Sequence, residues 1–148
     1  MPNSALHSAI ARFNDIVQTT NICGFEVQDF DVTAQSLLVI GSFDLAYYHE
    51  LEARFDGVTF VRLDFCAMFS QPRLSIGDAE VRDTVSKFTD LEPDDVVFIF
   101  HDDPSFHGGR VHFIVADDFN ISEGMVYHYQ RANLQQNERI APWVKPDS

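Results

Sequence analysis

The densest group of residues with chemical potential lies between positions 101 and 112. Three imidazoles and two carboxylates occur there, namely His101, Asp102, Asp103, His107 and His112. Asp-Pro and Gly-Gly pairs inside the segment are typical of a loop between two strands, which would place the outer histidines at its two ends. Because imidazole and carboxylate groups bind zinc and other divalent metals, His101, His107 and His112 are candidate metal ligands. Their spacing matches no established motif, so strand-end and loop-tip histidines are the simpler interpretation.

Two other segments resemble known motifs and depart from them at the deciding positions. The run 49–53 begins like the zinc-protease motif HExxH, but Ala53 replaces the second histidine and the segment alternates like a strand. The acidic residues from Asp90 onward resemble the start of an EF-hand loop, but Asp95 stands where that loop needs glycine. The sequence contains neither a nucleophile elbow nor a glycine-rich phosphate loop. We therefore assign no catalytic residue and no cofactor site.

Aromatic residues flank two further histidines. Tyr47-Tyr48-His49 and Tyr127-His128-Tyr129 both fall in segments with strand character. Ligand pockets are mostly apolar with a few polar groups, so such runs are able to line one. The alternative is ordinary packing within a sheet.

The charge balance is strongly acidic, with 23 Asp and Glu against 10 Lys and Arg and a net charge of −13. This surplus argues against binding to nucleic acid or to an anionic membrane, since both require a basic surface. If the segments 96–101 and 111–116 pair as antiparallel strands, carboxylates gather at one end of the sheet. We predict an acidic patch there, suited to a basic partner; the alternative is an evenly solvated surface. The predicted patch consists of Asp90, Glu92, Asp94, Asp95, Asp117 and Asp118.

The apolar pattern predicts the elements that must position these residues. Leu6, Ile10, Phe13 and Val17 share one face of a helix, and Asp78 is a suitable cap for a second. Extended segments are predicted around 24–29, 37–40, 47–55, 58–65, 73–76, 96–101, 111–116 and 125–131. The strands are clustered rather than alternating with helices, so we expect one α+β domain over 1–148. It would contain a mainly antiparallel, strongly curved sheet or partial barrel of about seven strands, with two helices packed on it.

A hairpin is predicted at Asp56-Gly57. A three-residue loop over 55–57 places Leu51 opposite Val61 and keeps apolar side chains on one face. His49 is then a buried histidine on the core side, whereas Glu52 and its polar neighbours occupy the other face.

The runs Tyr47-Tyr48-His49-Glu50-Leu51-Glu52 and Glu138-Arg139-Ile140-Ala141, the latter followed closely by Trp143, resemble small single-domain bacterial proteins of uncharacterised function. The resemblance covers most of the chain and implies a bacterial, cytoplasmic setting. It carries no activity over to these positions.

These observations favour a non-catalytic acidic binding or interaction protein, such as one that neutralises a basic protein partner. Two alternatives stay open: a metal-dependent enzyme that uses the His101–His112 cluster, and a small-molecule binder with an aromatic-lined cavity. The start of the sequence lacks the basic and apolar regions of a signal peptide, and two widely spaced cysteines suit a reducing compartment. We therefore expect a cytoplasmic protein that does not associate with nucleic acid or membranes.

Overall fold

The computed structural model describes residues 4–63, 68–105 and 109–146. It contains two helices within these ranges, α1 (Ser4–Thr19) and α2 (Ala79–Val85). The same ranges contain the strands β1 (Gly24–Asp31), β2 (Ser36–Ser42), β3 (Tyr48–Asp56), β4 (Phe60–Arg62), β5 (Met68–Ser70), β6 (Arg73–Ile76), β7 (Val96–His101), β8 (Val111–Ala116), β9 (Asp118–Tyr127) and β10 (Glu138–Ile140).

The strands of the described ranges form two sheets. A six-stranded sheet has the order β10-β9-β3-β2-β1-β5, and a four-stranded sheet has the order β4-β8-β7-β6. The pairing is antiparallel except between β9 and β10, which run parallel. The α+β class and the mainly antiparallel pairing are therefore confirmed. The arrangement differs from one strongly curved sheet or partial barrel of about seven strands, because the chain passes between two separate sheets.

The two sheets meet at a corner formed by a bent pair of strands. Asp56 at the end of β3 pairs with Asp118 at the start of β9, and Phe60 in β4 pairs with Val115 in β8. Between these pairs, the amide of Asp117 donates to the carbonyl of Asp56 at 2.9 Å. The antiparallel ladder thus continues from one sheet into the other, as occurs where strands switch sheets in packed β structures.

This corner replaces the predicted hairpin at Asp56-Gly57, which was wrong. Leu51 lies opposite Gly41 of β2 and Glu123 of β9, not opposite Val61. The physical reason is that two neighbours within the six-stranded sheet already satisfy β3. The turn residues therefore redirect the chain into the second sheet instead of folding it back. The burial of His49 was predicted correctly, since its exposure is 0%.

One apolar core joins α1 to both sheets. The helix contributes Leu6, Ile10, Phe13 and Val17, the four residues expected from the periodicity. Phenylalanine rings form the centre: the ring centroids of Phe55 and Phe119 lie 4.8 Å apart. Such tilted and edge-on aromatic pairs stabilise the core beyond the burial of their area. No helix in the described ranges is long and apolar enough to cross a membrane.

Polar contacts fix both helices on the sheets. In α1, the Asn14 side chain donates to the carbonyl of Leu74 and accepts from its amide, both at 2.8 Å. These bonds occupy the free edge of β6. The Asp78 side chain accepts from the amide of Val81 and caps α2, as predicted. The helix ends at Val85, so Phe88 lies beyond it and remains 59% exposed.

Candidate functional site

The candidate metal ligands His101 and His112 do not converge. Phe100 pairs with His112 and His101 pairs with Val111, so the two imidazoles lie on opposite faces of the four-stranded sheet. His101 is exposed, whereas His112 is fully buried. His107 lies outside the described residues. Among the residues that the structure describes, no group of three or more His, Cys, Asp or Glu side chains is placed to hold a metal ion.

The carboxylate of Asp102 links the ends of several strands instead. Its Oδ2 lies 3.1 Å from Nε of Arg110 and 3.5 Å from Nε2 of His112. Its Oδ1 accepts a hydrogen bond from the amide of Ser70 at 3.3 Å, and the ring of Phe69 packs edge-on against His112. Because a buried charge requires partners, this set of contacts explains how Asp102 is accommodated within the fold.

Part of the predicted acidic patch lies near the corner between the sheets. Val96 pairs with Ala116, which places Asp95 and Asp117 at adjacent strand ends as the antiparallel arrangement required. Part of this set has a structural role, since the carboxylate of Asp95 accepts a hydrogen bond from the amide of Glu92 at 2.8 Å. The remaining members are exposed, namely Asp90, Glu92, Asp94, Asp117 and Asp118.

The two aromatic runs meet on adjacent strands. Tyr48 pairs with Tyr127, and the amide of His128 donates to the carbonyl of Tyr47 at 2.8 Å. The register between β3 and β9 shifts by one residue just beyond this point, between His49 and Leu51. Residues that are 79 positions apart in the sequence therefore share one surface.

Side chains from both runs form a cleft of about 660 Å³, which we call the tyrosine cleft. It is lined by Tyr47, Tyr48, Met125, Tyr127, Tyr129 and Arg131. Tyr47 is 60% exposed and Tyr129 is 40% exposed, whereas Tyr127 is buried. The cleft is thus an open, largely aromatic surface.

A cation of the chain itself lies within the tyrosine cleft. The guanidinium carbon of Arg131 lies 4.4 Å from the centroid of the Tyr127 ring. One of its nitrogens donates to the hydroxyl of Tyr129 at 3.0 Å. The two tyrosine rings lie 5.6 Å apart in an edge-on arrangement. Together they contact the guanidinium through an aromatic face and a hydrogen-bond acceptor.

Carboxylates surround the same tyrosines. The hydroxyl of Tyr127 donates to Glu138 at 2.9 Å, and this hydrogen bond is the main cause that raises the pKa of Tyr127. The pKa of Tyr48 is raised first by burial and then by the negative charges of Glu50 and Asp44. The electrostatic surroundings of the cleft are therefore acidic on several sides.

A pair of histidines lies next to the tyrosine cleft. Nδ1 of His49 lies 2.8 Å from Nε2 of His128, and Nδ1 of His128 lies 2.9 Å from the carbonyl oxygen of Leu45. The indole of Trp143 stacks on His49 with 18° between the planes, and its centroid lies 5.3 Å from that of His128. Burial is the main cause that lowers the pKa of His128, and the nearby His49 lowers it further.

The other ring nitrogen of His49 contacts Glu52. Nε2 of His49 lies 2.8 Å from Oε2 of Glu52, and the same oxygen accepts a hydrogen bond from Arg139 at 2.6 Å. The hydrogen bond with His49 is the main cause that lowers the pKa of Glu52 to about 2; burial opposes it and Arg139 adds to it. Glu52 and Arg139 also line a neighbouring polar cavity of about 250 Å³.

Comparisons of the chain with protein-family models, curated proteins and solved structures find no match. The inference of function therefore rests on the site itself.

The sequence indicated part of this site. Both aromatic runs were recognised as possible pocket residues, because tyrosines clustered around a histidine in strand-like segments. The positions of Arg131, Arg139 and Trp143 were missed. Arg131 follows β9 directly and reaches Tyr127 and Tyr129 through local contacts, whereas Arg139 and Trp143 come to the site only with the return of the chain as β10. The strand-like alternation that the two aromatic runs share was the one signal in the sequence that the runs are neighbours.

Proposed function

We propose that this protein is a non-catalytic binding protein whose tyrosine cleft receives a cationic side chain of a basic protein partner. The observation that carries this proposal is the position of Arg131, whose guanidinium lies on Tyr127 and donates to Tyr129. A cation over an aromatic face gains about 0.5–1 kcal/mol at an exposed site. The contacts of Arg131 therefore support the proposal that the cleft receives a cationic side chain.

The charge of the molecule supports the same class of partner. Asp44 and Glu50 act on Tyr48, Glu138 contacts Tyr127, and the whole chain carries a net charge of −13. An acidic field accelerates the approach of a basic protein and disfavours nucleic acid and anionic membranes. The bacterial cytoplasm is the setting that we assume, on the resemblance of the chain to small bacterial proteins.

A small molecule with an aromatic face is the second candidate ligand. The cleft volume of about 660 Å³ falls within the range of small-molecule sites, which is roughly 300–1,000 Å³. A metal-dependent enzyme would need a different ligand set from the one suggested by the sequence, since His101 and His112 face opposite sides of their sheet.

A titration with short peptides tests the proposal. The probe is a capped Gly-Arg-Gly-Arg-Gly peptide, and its matched control contains citrulline, the uncharged analogue of arginine. We expect the arginine peptide to shift the NMR signals of Tyr47, Tyr127 and Tyr129. Replacement of Tyr129 by Ala should weaken its binding about two- to fivefold, the equivalent of one exposed cation–π contact. Phe43→Ala removes an exposed aromatic residue outside the cleft and should leave binding unchanged.

Arg131 provides a second arm of the test. If its guanidinium competes for the cleft, Arg131→Gln should tighten binding of the arginine peptide by about two- to fivefold. Arg131→Lys should leave the competition largely in place. Equal affinity for the arginine and citrulline peptides would overturn the proposal. Binding of aromatic small molecules, with no response to either peptide, would support the second candidate instead.

A further inference from the structure

The contacts of His49 and His128 form an unbroken series of three hydrogen bonds. The series begins at the carbonyl of Leu45, passes through both nitrogens of His128 and both nitrogens of His49, and ends at Glu52. The three distances are 2.9, 2.8 and 2.8 Å. Each lies within the range for hydrogen bonds, so each contact requires one proton.

The number of protons in this series is fixed by the chemistry of its ends. A carbonyl oxygen only accepts, so Nδ1 of His128 carries a proton. The proton between the rings belongs either to Nδ1 of His49 or to Nε2 of His128, and the Glu52 carboxylate beside His49 favours the first arrangement, in which Nε2 of His128 accepts. Two neutral imidazoles supply only two protons for three contacts. The third proton must lie between His49 and Glu52. Because both His49 and Arg139 stabilise the Glu52 carboxylate, the proton belongs to His49, which is then an imidazolium.

The surroundings of the pair are consistent with this distribution of charge. His49 is completely buried, and its positive charge is balanced by Glu52, whose second cationic partner is Arg139 on β10. His128 faces the Leu45 carbonyl before β3, His49 on β3 and the indole of Trp143 in the last segment of the chain. Trp143 stacks over His49, which has no exposed surface, so this ring is not available to a substrate.

An additional proton would break the series at one defined contact. If His128 is protonated, its Nε2–H points directly at Nδ1–H of His49 across 2.8 Å. Two donors then oppose each other, and two positive charges lie side by side in a buried setting. The three-proton form is therefore the form in which the rings remain together.

Backbone hydrogen bonds and sequence neighbours connect the His49–His128 contact to the tyrosine cleft and to the segment that carries Trp143. His128 lies between Tyr127 and Tyr129 in sequence, and its amide donates to Tyr47. The amide of Ala141 donates to the carbonyl of Tyr127 at 2.9 Å, next to the segment that carries Trp143. A separation of the two imidazoles would displace tyrosines of the cleft relative to one another.

We propose that the His49–His128 pair is an acid-sensitive contact that holds the tyrosine cleft and the Trp143 segment in place at neutral pH and releases them when His128 is protonated. The release of Trp143 stands independently of the proposed function. The consequence for a cationic partner, which is weaker binding in acid, rests on the proposed function.

The first experiment follows the contact without any ligand. Trp143 is the only tryptophan of the chain, so its fluorescence reports this segment alone. Between about pH 7.5 and pH 5 we expect acrylamide quenching of Trp143 to rise roughly twofold, because the side chain is 41% exposed before release. The midpoint should lie below the ordinary histidine pKa of 6.5, since the pKa of His128 is lowered. The same change should be absent from His128→Gln and present in the control His101→Gln.

A second measurement uses the unaltered chain, so it does not depend on whether a variant folds. NMR spectra of the imidazole nitrogens at about pH 7.5 should show His49 protonated at both nitrogens and His128 protonated at Nδ1 alone. Two neutral rings at this pH would overturn the proton count and with it the proposal. Quenching that stays constant while His128 titrates would equally overturn it.

Peptide binding separates this inference from the proposed function. Affinity for the arginine peptide should fall about two- to fivefold between about pH 7.5 and pH 5, the equivalent of one cation–π contact, and the loss should be absent from His128→Gln. If Trp143 is released in acid but the peptide binds at neither pH, the proposed function fails and the acid-sensitive contact stands. If affinity is the same at both pH values while Trp143 is released, the contact does not regulate the cleft and that part of the inference is wrong.

Discussion

Glu52 shows how much of the candidate site depends on one carboxylate. Its Oε2 accepts from both His49 and Arg139, so a single oxygen connects β3 to β10 and orients the buried imidazole. Its side chain is only 21% exposed, which limits screening by solvent. The aromatic and basic residues nearby depend on this arrangement, because His49 positions His128 and Trp143.

Replacement of Glu52 by Gln should change the pH dependence of stability. The pKa of Glu52 is lowered from 4.5 to about 2 on folding, so its stabilisation is complete above about pH 4.5 and is lost as the pH falls toward 2. Over that interval, protonation of Glu52 lowers the free energy of unfolding by about 3 kcal/mol. When the free energy of unfolding is measured in urea at a series of pH values, Glu52→Gln should not show this part of the loss of stability in acid. Glu50→Gln, two positions earlier in β3, is the control and should retain this loss. The same dependence of stability on pH for Glu52→Gln and the unaltered chain would contradict the prediction.

At the level of secondary structure, the corner between the sheets depends on Gly57. Its φ is +67°, a conformation that side chains other than glycine rarely adopt. A Cβ atom at this position would lie 2.2 Å from Oδ2 of Asp117, the residue that joins β8 to β9. A side chain at position 57 would therefore strain the backbone and would require the Asp117 side chain to move.

We expect Gly57→Ala to lower the free energy of unfolding by about 1–3 kcal/mol in urea denaturation, through backbone strain and steric overlap. Gly109→Ala separates the two causes, because Gly109 has a similar φ of +71° and the nearest atom to its Cβ among the residues described by the structure would be Cα of Pro104 at 3.4 Å. The loss should be larger at position 57 than at position 109. In the Asp117→Ala background, part of the loss at position 57 should disappear. Equal losses at both positions would show that steric overlap contributes nothing.

At the level of the whole molecule, the tyrosine cleft and the acidic patch lie at opposite ends of one ladder. Tyr48 pairs with Tyr127 at one end of the β3–β9 pair, and Asp56 pairs with Asp118 at the other. Since β3 has nine residues, the separation is roughly 25–30 Å along the strand. A basic partner that occupied the cleft would therefore encounter the patch as a second, more distant surface.

Charge reversal should distinguish a clustered acidic surface from the overall charge. The Asp95 carboxylate accepts from the amide of Glu92, and the Asp117 side chain lies against Gly57. We therefore choose the exposed residues Asp94 and Asp118 for replacement by Lys, although the Asp118 carboxylate accepts a hydrogen bond from the adjacent amide of Phe119. If the patch steers a basic partner, this pair should slow association of the arginine peptide at low salt and reduce its salt dependence. The control replaces Asp15 and Asp29, which are also exposed, by Lys and therefore changes the net charge by the same amount. Equal association rates for the two pairs would leave the patch a role in solubility alone.

The local order of the fold could be predicted from the sequence because it depends on neighbours along the chain. The four apolar positions of α1, the Asp78 cap and the antiparallel neighbours β7 and β8 all follow from short-range periodicity and capping chemistry. The acidic composition likewise determines the net charge without reference to any fold. His49 was predicted to be buried because it shares a face with apolar residues of its strand in the proposed hairpin; the burial is confirmed although that hairpin pairing was wrong.

The tertiary structure decided which of these elements meet. Alternation in β3 specifies two faces but not the identity of its neighbours, so the hairpin and the corner were both compatible with the same residues until β2 and β9 paired with β3. The same limit applies to the site. Glu52, His128, Arg139 and Trp143 are separated by as many as 91 positions between Glu52 and Trp143. Their proximity depends on the fold of β9 and the return of β10, which no local spacing encodes, because long-range pairing is set by the packing of the whole core.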